Sequence, residues 1–440
     1  MAMTRPVCNP YRSRRVILAA AIAGAVLGAP AAPRGAAATD WLQWGGAGRN
    51  FMPEAAGLAS SWPPGGPKRL WTRPLGEGHS AILAEGGRIY TMYRPLQRSG
   101  ERRGQDRGQE EVVLALDAAS GKTAWEFTYP APTSGLDFSQ GAGPHSTPLI
   151  SGNRIYATST RKELFALDKT TGKVVWSHDF MKEYGAPSPG RGYACSPTLH
   201  NGTIIVTVGG RGQAVAAFNQ QTGALAWKAG DFDESPASPL LVDVDGQLQL
   251  VLFAGDKVAG LDPANGRVLW SHPHKTDWGL NISTPVWSPT SHLLFVSSAY
   301  STGSRALELR QAAGKTTVAE KWFSGRMRVH IGTVINLGDY VYASSGDFGP
   351  SFLSAVDLKT GKIAWQDRSF SRAQLLYADG KLIILDEDGN LGLATISPQG
   401  LKILSRAPVL ANVAWTPPTL AGTTLYVRDR KTIAAFNLGS

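Results

Sequence analysis

Cysteine is almost missing from this chain: Cys8 and Cys195 are the only two in 440 residues. Cys8 stands ahead of an N-terminal apolar run, where a lipid-modified cysteine cannot be, so Cys195 is left alone. A single thiol excludes an internal disulfide, an adjacent Cys-Cys pair, a zinc cluster and a covalent haem site of the Cys-x-x-Cys-His kind. It also makes a weak nucleophile candidate, because a lone thiol at the start of an inner strand reads as a small buried apolar residue. No stretch has the 3.6-residue apolar period of a long amphipathic helix, and the apolar run Val16 to Leu27 is too short to span a membrane. Acidic clusters are few. Asp231-Phe232-Asp233-Glu234, Asp243-Val244-Asp245 and Asp386-Glu387-Asp388 fall in turns or at strand ends, where solvation explains them without Ca²⁺.

What the N-terminus contains sets the expected compartment. Arg12, Arg14 and Arg15 precede the apolar run, and Ala36-Ala37-Ala38 offers small residues for cleavage, which reads as a secretory signal peptide over residues 1–38. Ser13-Arg14-Arg15-Val16-Ile17-Leu18 partly resembles a twin-arginine signal. The exported chain, periplasmic or secreted, then carries no lipid anchor and no transmembrane segment. Loss of residues 1–38 removes five Arg and no acid, so the formal charge falls from +10 to 10 − 5 = +5. That excess is too diffuse over some 400 residues to argue for nucleic acid.

Against that sparse chemistry stands a repeat. Ala115-Leu116-Asp117 with Gly121 and Trp125, Ala166-Leu167-Asp168 with Gly172 and Trp176, and Ala217-Phe218-Asn219 with Gly223 and Trp227 are followed by Gly260-Leu261-Asp262 with Gly266 and Trp270. A distorted copy, Ala306-Leu307-Glu308 with Gly314 and a displaced Trp322, precedes Ala355-Val356-Asp357 with Gly361 and Trp365. Successive Trp residues lie 51, 51, 43, 52 and 43 positions apart, the period of a four-stranded propeller blade. Each Asp can accept from backbone N–H groups two or three residues on, and each Gly suits the positive φ that closes a hairpin. The Trp is expected to pack between adjacent blades, over the small residue before the Asp.

Counting from Trp71 to the weak copy Gly400 to Leu404 gives eight outer strands. The last segment, Thr416 to Asn437, supplies three strands and lacks a fourth, while Lys68 to Trp71 has no blade of its own. The two ends should pair and close the ring, removing exposed edges. The expected fold is therefore all-β, an eight-bladed propeller of four-stranded antiparallel blades over residues 39–440, and monomeric. The longest irregular piece, Arg94 to Glu111, reads as a solvated loop without core contacts.

Residues 166–176 and 355–365 carry Ala-x-Asp-x-x-Thr-Gly-Lys-x-x-Trp, nearly whole, and so the chain resembles quinoprotein dehydrogenases and their non-catalytic relatives. The opening Asp40 to Asn50, together with Asp386 to Leu391 and Leu425 to Asp429, resembles exported PQQ-binding-like β-propeller repeat proteins, with Leu42 and Gly45 departing from the usual Pro and Arg. The resemblance implies the propeller fold and, for true dehydrogenases, PQQ held with Ca²⁺ beside a Cys-Cys pair and a catalytic Asp. This chain lacks the Cys-Cys pair, so no cofactor is expected; PQQ with Ca²⁺ is the alternative.

Candidate site residues follow from topology, because the residues just before the innermost strands converge on one mouth of the channel. Those stations are His79, His145, Tyr193 with Cys195, Glu234, Asn281, His330, Arg372 and Trp415, with Arg191, Trp278, Arg326 and Arg328 nearby. Polar residues collect in wet channel mouths, and each His taken singly reads as a satisfied polar group. A metal is not expected, since His330 comes from the sixth blade, across the channel from His79 and His145. A small anionic or sugar-like ligand gripped by Arg and stacked on Trp, or an exported protein partner, fits better. The expectation is a non-catalytic binding propeller. The alternative is an enzyme at the same mouth, either a PQQ-dependent oxidoreductase or a polysaccharide-directed lyase working through a His and Tyr pair.

Overall fold

The computed structural model describes residues 40–96, 108–347 and 349–440. The expected signal peptide and its cleavage site lie outside these residues. Among the described residues thirty-two strands form eight sheets of four, each antiparallel and ordered from the channel outward. Blade one contains Leu83–Glu85, Arg88–Tyr93, Glu110–Asp117 and Thr123–Pro130. Blades two to seven occupy residues 149–179, 198–229, 240–273, 286–324, 334–367 and 373–408. One five-residue helix, Phe180–Tyr184, follows the outer strand of blade two. Among the described residues no helix is long and apolar enough to cross a membrane.

Blade eight closes the ring. Thr419–Ala421, Thr424–Arg428 and Thr432–Asn437 are completed on the outside by Lys68–Pro74, with Lys68 opposite Asn437 and Pro74 opposite Thr432. Arg428 reinforces the seam. Fully buried, it donates to the carbonyls of Gly76, Ser80 and Met92 and to Thr91 Oγ1, tying blade eight to blade one. Burial lowers its pKa to about 9, which still leaves a cation at neutral pH.

The repeat residues do the work expected in the turns and a further task between blades. Asp168 Oδ1 accepts from the N–H groups of Thr170 and Thr171, and Asp357 Oδ1 from those of Lys359 and Thr360. Each Trp pairs in register with the small residue of its own blade, as Trp125 does with Ala115. For Trp71, Trp125, Trp176, Trp227 and Trp322 the surface the ring covers is the turn glycine of the next blade. A methyl group on Gly172 would lie 2.5 Å from the Trp125 ring, and one on Gly121 would lie 2.7 Å from Trp71. The indole N–H then donates to a carbonyl of the same turn: Trp71 to Ala118 at 2.9 Å, Trp125 to Lys169 at 3.0 Å and Trp322 to Leu358 at 2.8 Å.

The distorted copy has a mechanical cause. In blade five the strands Ser304–Ala312 and Lys315–Ser324 are lengthened around a tight turn at Ala313 and Gly314, yet Trp322 still pairs with Ala306. The long hairpin displaces the turn on which Trp270 would lie. Trp270 is buried within blade four instead, donating to Gln249 at 2.7 Å.

The loop Arg94 to Glu111 needs correction. Residues 97–107 are outside the described set, but its two ends are core: Arg94 and Glu111 are both fully buried and paired at 2.8 Å. Arg94 also donates to Ala131 O, and Tyr129 donates to Glu111, so a buried, hydrogen-bonded pair clamps the loop's base.

The opening segment was not foreseen as structure. Residues 41–62 run under the channel at the hairpin ends of the inner strands and touch blade after blade. Trp41 bridges Ala84, Leu42 O accepts from Ile150 N, and Trp44 donates to Thr284 Oγ1. Phe51 O accepts from Tyr377 N, and Leu58 N donates to Asp379. This crossing plugs one end of the channel.

Gly152 and Gly172 separate the turn's two demands, since both are left-handed (φ 58° and 71°) but only Gly172 carries a ring above it. Ala at either should cost about 1 kcal/mol for φ alone. Gly172→Ala should add ~1–3 kcal/mol for the clash with Trp125. Equal losses for the two variants in denaturant unfolding would remove the inter-blade role of the Trp.

Candidate functional site

Between the plug and the loops that enter the inner strands lies a cavity of about 180 Å³. Its walls are the inner-strand approaches of several blades. Short hydrogen bonds link those approaches into a ring: Ala81 N donates to Thr147 Oγ1, Thr147 N to Ser196 Oγ, and Ser196 N to Ser238 Oγ. Each of these acceptors stands just before a proline, whose ring biases the preceding residue toward extended backbone. On the far side Leu375 N donates to Thr333 Oγ1, and Thr419 Oγ1 returns to Ile82 O.

Of the residues expected at the mouth, the structure brings His79, His145, Arg191, His330 and Trp415 around this one cavity. His79 and His145 stack with centroids 5.4 Å apart and planes 8° from parallel, and Trp415 flanks His79 at 5.4 Å. Trp415 is oriented by donation to Glu387 at 2.8 Å, while Arg430 and Arg372 lie over its ring at 4.8 and 5.8 Å. Arg191 pairs with Asp137 at 3.5 Å and lies over the exposed Trp278.

Arg372 stands behind the wall and fixes a tautomer. A guanidinium only donates, so its Nη1 donates to His330 Nδ1 at 2.9 Å, and the neutral ring keeps its proton on Nε2. Nε2 then donates to Tyr300 Oη at 2.6 Å. Tyr300 itself holds a left-handed φ of 55°, its N–H anchored on Asp347.

Other expected residues are elsewhere. Tyr193 is buried, donating to Thr207 O at 2.9 Å, and Asn281 is fully buried, donating to Ala254 O and accepting from Ser298. Both are framework bonds between strand approaches. Cys195 is buried, its thiol pKa raised by desolvation. Glu234 pairs with the buried Lys162 at 2.7 Å. Arg326 and Arg328 line a separate surface cleft, with Arg328 3.9 Å from Asp347.

Sequence reasoning missed Trp44, Arg49, Phe51 and Tyr300, which also line the cavity. The plug residues fall outside the repeat, and a Trp- and Gly-dense segment ahead of the first strand was the available signal.

Asp137 is the one carboxylate among the cavity's described lining residues and is engaged by Arg191. Among the described residues no three His, Cys, Asp or Glu side chains group as metal ligands.

Comparison with known proteins gives a consistent picture. Residues 109–367 match the family profile described as outer membrane protein assembly factor BamB. BamB of Moranella endobia (strain PCIT) is 23% identical over 323 residues, covering 73% of this chain and 68% of that protein. Quinoprotein alcohol dehydrogenase PedH of Pseudomonas putida is 28% identical over 145 residues, which is 30% of this chain but 23% of the enzyme's length. The crystal structure of BamB from Moraxella catarrhalis superposes with a TM-score of 0.56 at 16% identity, covering 84% of this chain and 100% of that one, a likeness of fold.

The channel histidines set a pH dependence. Burial holds His145 and His330 near a pKa of about 4, below the usual 6.5, and pushes His79 down as well. The unfolded chain therefore takes up more protons than the folded one between those values. Their contribution is complete above pH 6.5 and is lost as pH falls toward 4. Melting temperature should drop over that window, and less steeply in His145→Gln and His330→Gln. Unaltered slopes in both variants would assign the acid sensitivity to carboxylates alone.

Proposed function

The chain belongs to the PQQ-repeat propeller family of the outer membrane assembly factor BamB, and on that premise we propose that it is an exported, non-catalytic propeller that binds at its open channel face. The site of export is periplasmic or secreted. The occupant is either a protein partner, as the name of the BamB relatives suggests, or a small anionic or sugar-like ligand. The observation that carries this reading is the channel mouth: three Arg and a neutral His pair gathered around Trp415 and the cavity beside it. Guanidinium groups grip oxyanions and a flat indole offers a stacking surface, while neutral imidazoles donate and accept without adding charge.

No bound PQQ is part of this proposal. Its support is the donor set, which offers no carboxylate cluster and no vicinal cysteines. A second reading rests on one feature, the Tyr300 and His330 contact, which has the form of an acid–base pair for a polysaccharide lyase. Here Arg372 occupies the other ring nitrogen and holds the ring neutral, which favours a positioning role over proton transfer.

The test begins with protein purified from its native host. Its absorption spectrum should show no quinone band, and dye-linked alcohol or sugar oxidation should stay at background with PQQ and Ca²⁺ supplied. A screen of sugars and carboxylates should raise the melting temperature for some members, since a ligand at a hundred times its Kd adds about 2.7 kcal/mol. His145→Ala should weaken the best of these at least tenfold, roughly 1.4 kcal/mol, with little change in the unliganded melt. Stoichiometric Ca²⁺-dependent PQQ binding, or turnover of a polysaccharide, would overturn the non-catalytic reading.

A further inference from the structure

The plug carries more chemistry than closure requires. Within seven residues its backbone takes four left-handed conformations, at Gly45 (φ 77°), Gly46 (φ 75°), Arg49 (φ 51°) and Phe51 (φ 59°). Such conformations are unfavourable for a residue with a side chain and persist where surrounding structure enforces them. Gly45 is required: a methyl there would stand 2.6 Å from the Arg49 carbonyl carbon. The turn so formed places Arg49 among the residues that line the cavity, with 6% of the residue exposed.

That guanidinium is poorly satisfied. Nη1 donates to Gln43 Oε1 at 3.0 Å and reaches Pro197 O at 3.5 Å, while Nε and Nη2 are buried without an acceptor. Among the described residues no carboxylate lies within ion-pair distance of Arg49, and the cavity's Asp137 is engaged by Arg191. Contrast Arg428, equally buried but surrounded by carbonyls, and Arg94, paired with Glu111. A buried cation with unpartnered N–H groups, on a residue that lines a cavity, is costly until an anion reaches it.

We propose that Arg49 forms the floor of an oxyanion site that takes a small monocarboxylate, its carboxylate on the guanidinium and its apolar body up the channel. The planar fork matches a carboxylate with two parallel hydrogen bonds. The surroundings select one charge over two. Phe51, Pro285 and Val286 on the lining are apolar, and Arg191, the other guanidinium on the lining, is engaged by Asp137. The channel imidazoles are neutral at pH 7 and supply no second cation. The crossing segment is thus both a plug and the carrier of the anchoring charge.

The proposal rests on the reading of the channel as a binding cavity, and one experiment separates the two. The mature full-length protein is melted in sodium butyrate, sodium phosphate and sodium chloride at matched ionic strength, with butyrate affinity measured by calorimetry. Butyrate should stabilise the parent saturably and chloride should not. Arg49→Met should lose at least tenfold in butyrate affinity while melting, without butyrate, no lower than the parent. Arg49→Lys, which keeps the charge but not the fork, should fold and bind several-fold more weakly. Equal butyrate stabilisation of parent and Arg49→Met would overturn the site, as would no stabilisation of the parent. So would a melt of both variants far below the parent, which would make Arg49 a structural bolt. A response to phosphate alone would overturn the monocarboxylate assignment. Loss of butyrate binding in His145→Ala but not in Arg49→Met would sink the floor site and spare the channel-face reading, and the reverse pattern would do the opposite.

Discussion

The blades of this protein depend on their neighbours, and at five of the eight junctions the contact that enforces it is an indole laid over a glycine. A single four-stranded sheet has two faces to bury and cannot do so alone. The Trp of one blade covers the turn glycine of the next and donates to a carbonyl beside it, as Trp125 does with Gly172 and Lys169. Because the contact runs from one blade to its successor, a blade at an open end would be left without it. Only a closed ring satisfies it. The strand Lys68–Pro74 therefore matters twice, completing the edge of blade eight and delivering Trp71 to Gly121 of blade one.

Where that rule is broken, the structure compensates locally. The lengthened hairpin of blade five leaves Trp270 without its turn, and Gln249 of its own blade takes the indole proton. On the channel side a second ring of bonds, from backbone N–H groups to Ser and Thr hydroxyls, holds the inner-strand approaches at fixed spacing. This inner ring spends hydroxyls such as those of Ser196, Ser238 and Thr333 on the framework, while His, Arg and aromatic side chains share the cavity lining with them.

Much of the fold was legible because its grammar is local. The Asp-to-Gly hairpin and the Trp eight positions after the Asp recur often enough to count blades, and the unpaired ends imply closure. The channel stations were partly legible for the same reason: topology alone carries His79, His145, His330 and Trp415 to one cavity. Tyr193 and Asn281 stand at equivalent stations, yet their side chains turn into framework bonds with Thr207 and Ala254. Position along a strand specifies depth in the ring, not the direction a side chain takes.

The sequence by itself determined the architecture, the export signal as an expectation, and the absence of any cysteine chemistry beyond one thiol, since each depends on neighbours a few residues apart. Only the tertiary structure decided what meets inside. The crossing of residues 41–62 beneath the channel joins groups as distant as Trp44 and Thr284, and the Arg372, His330 and Tyr300 chain joins two loops and a strand approach. The charge state of Arg49 among apolar walls belongs to the same class. Burial and partnership are properties of three-dimensional surroundings, and no spacing rule encodes them.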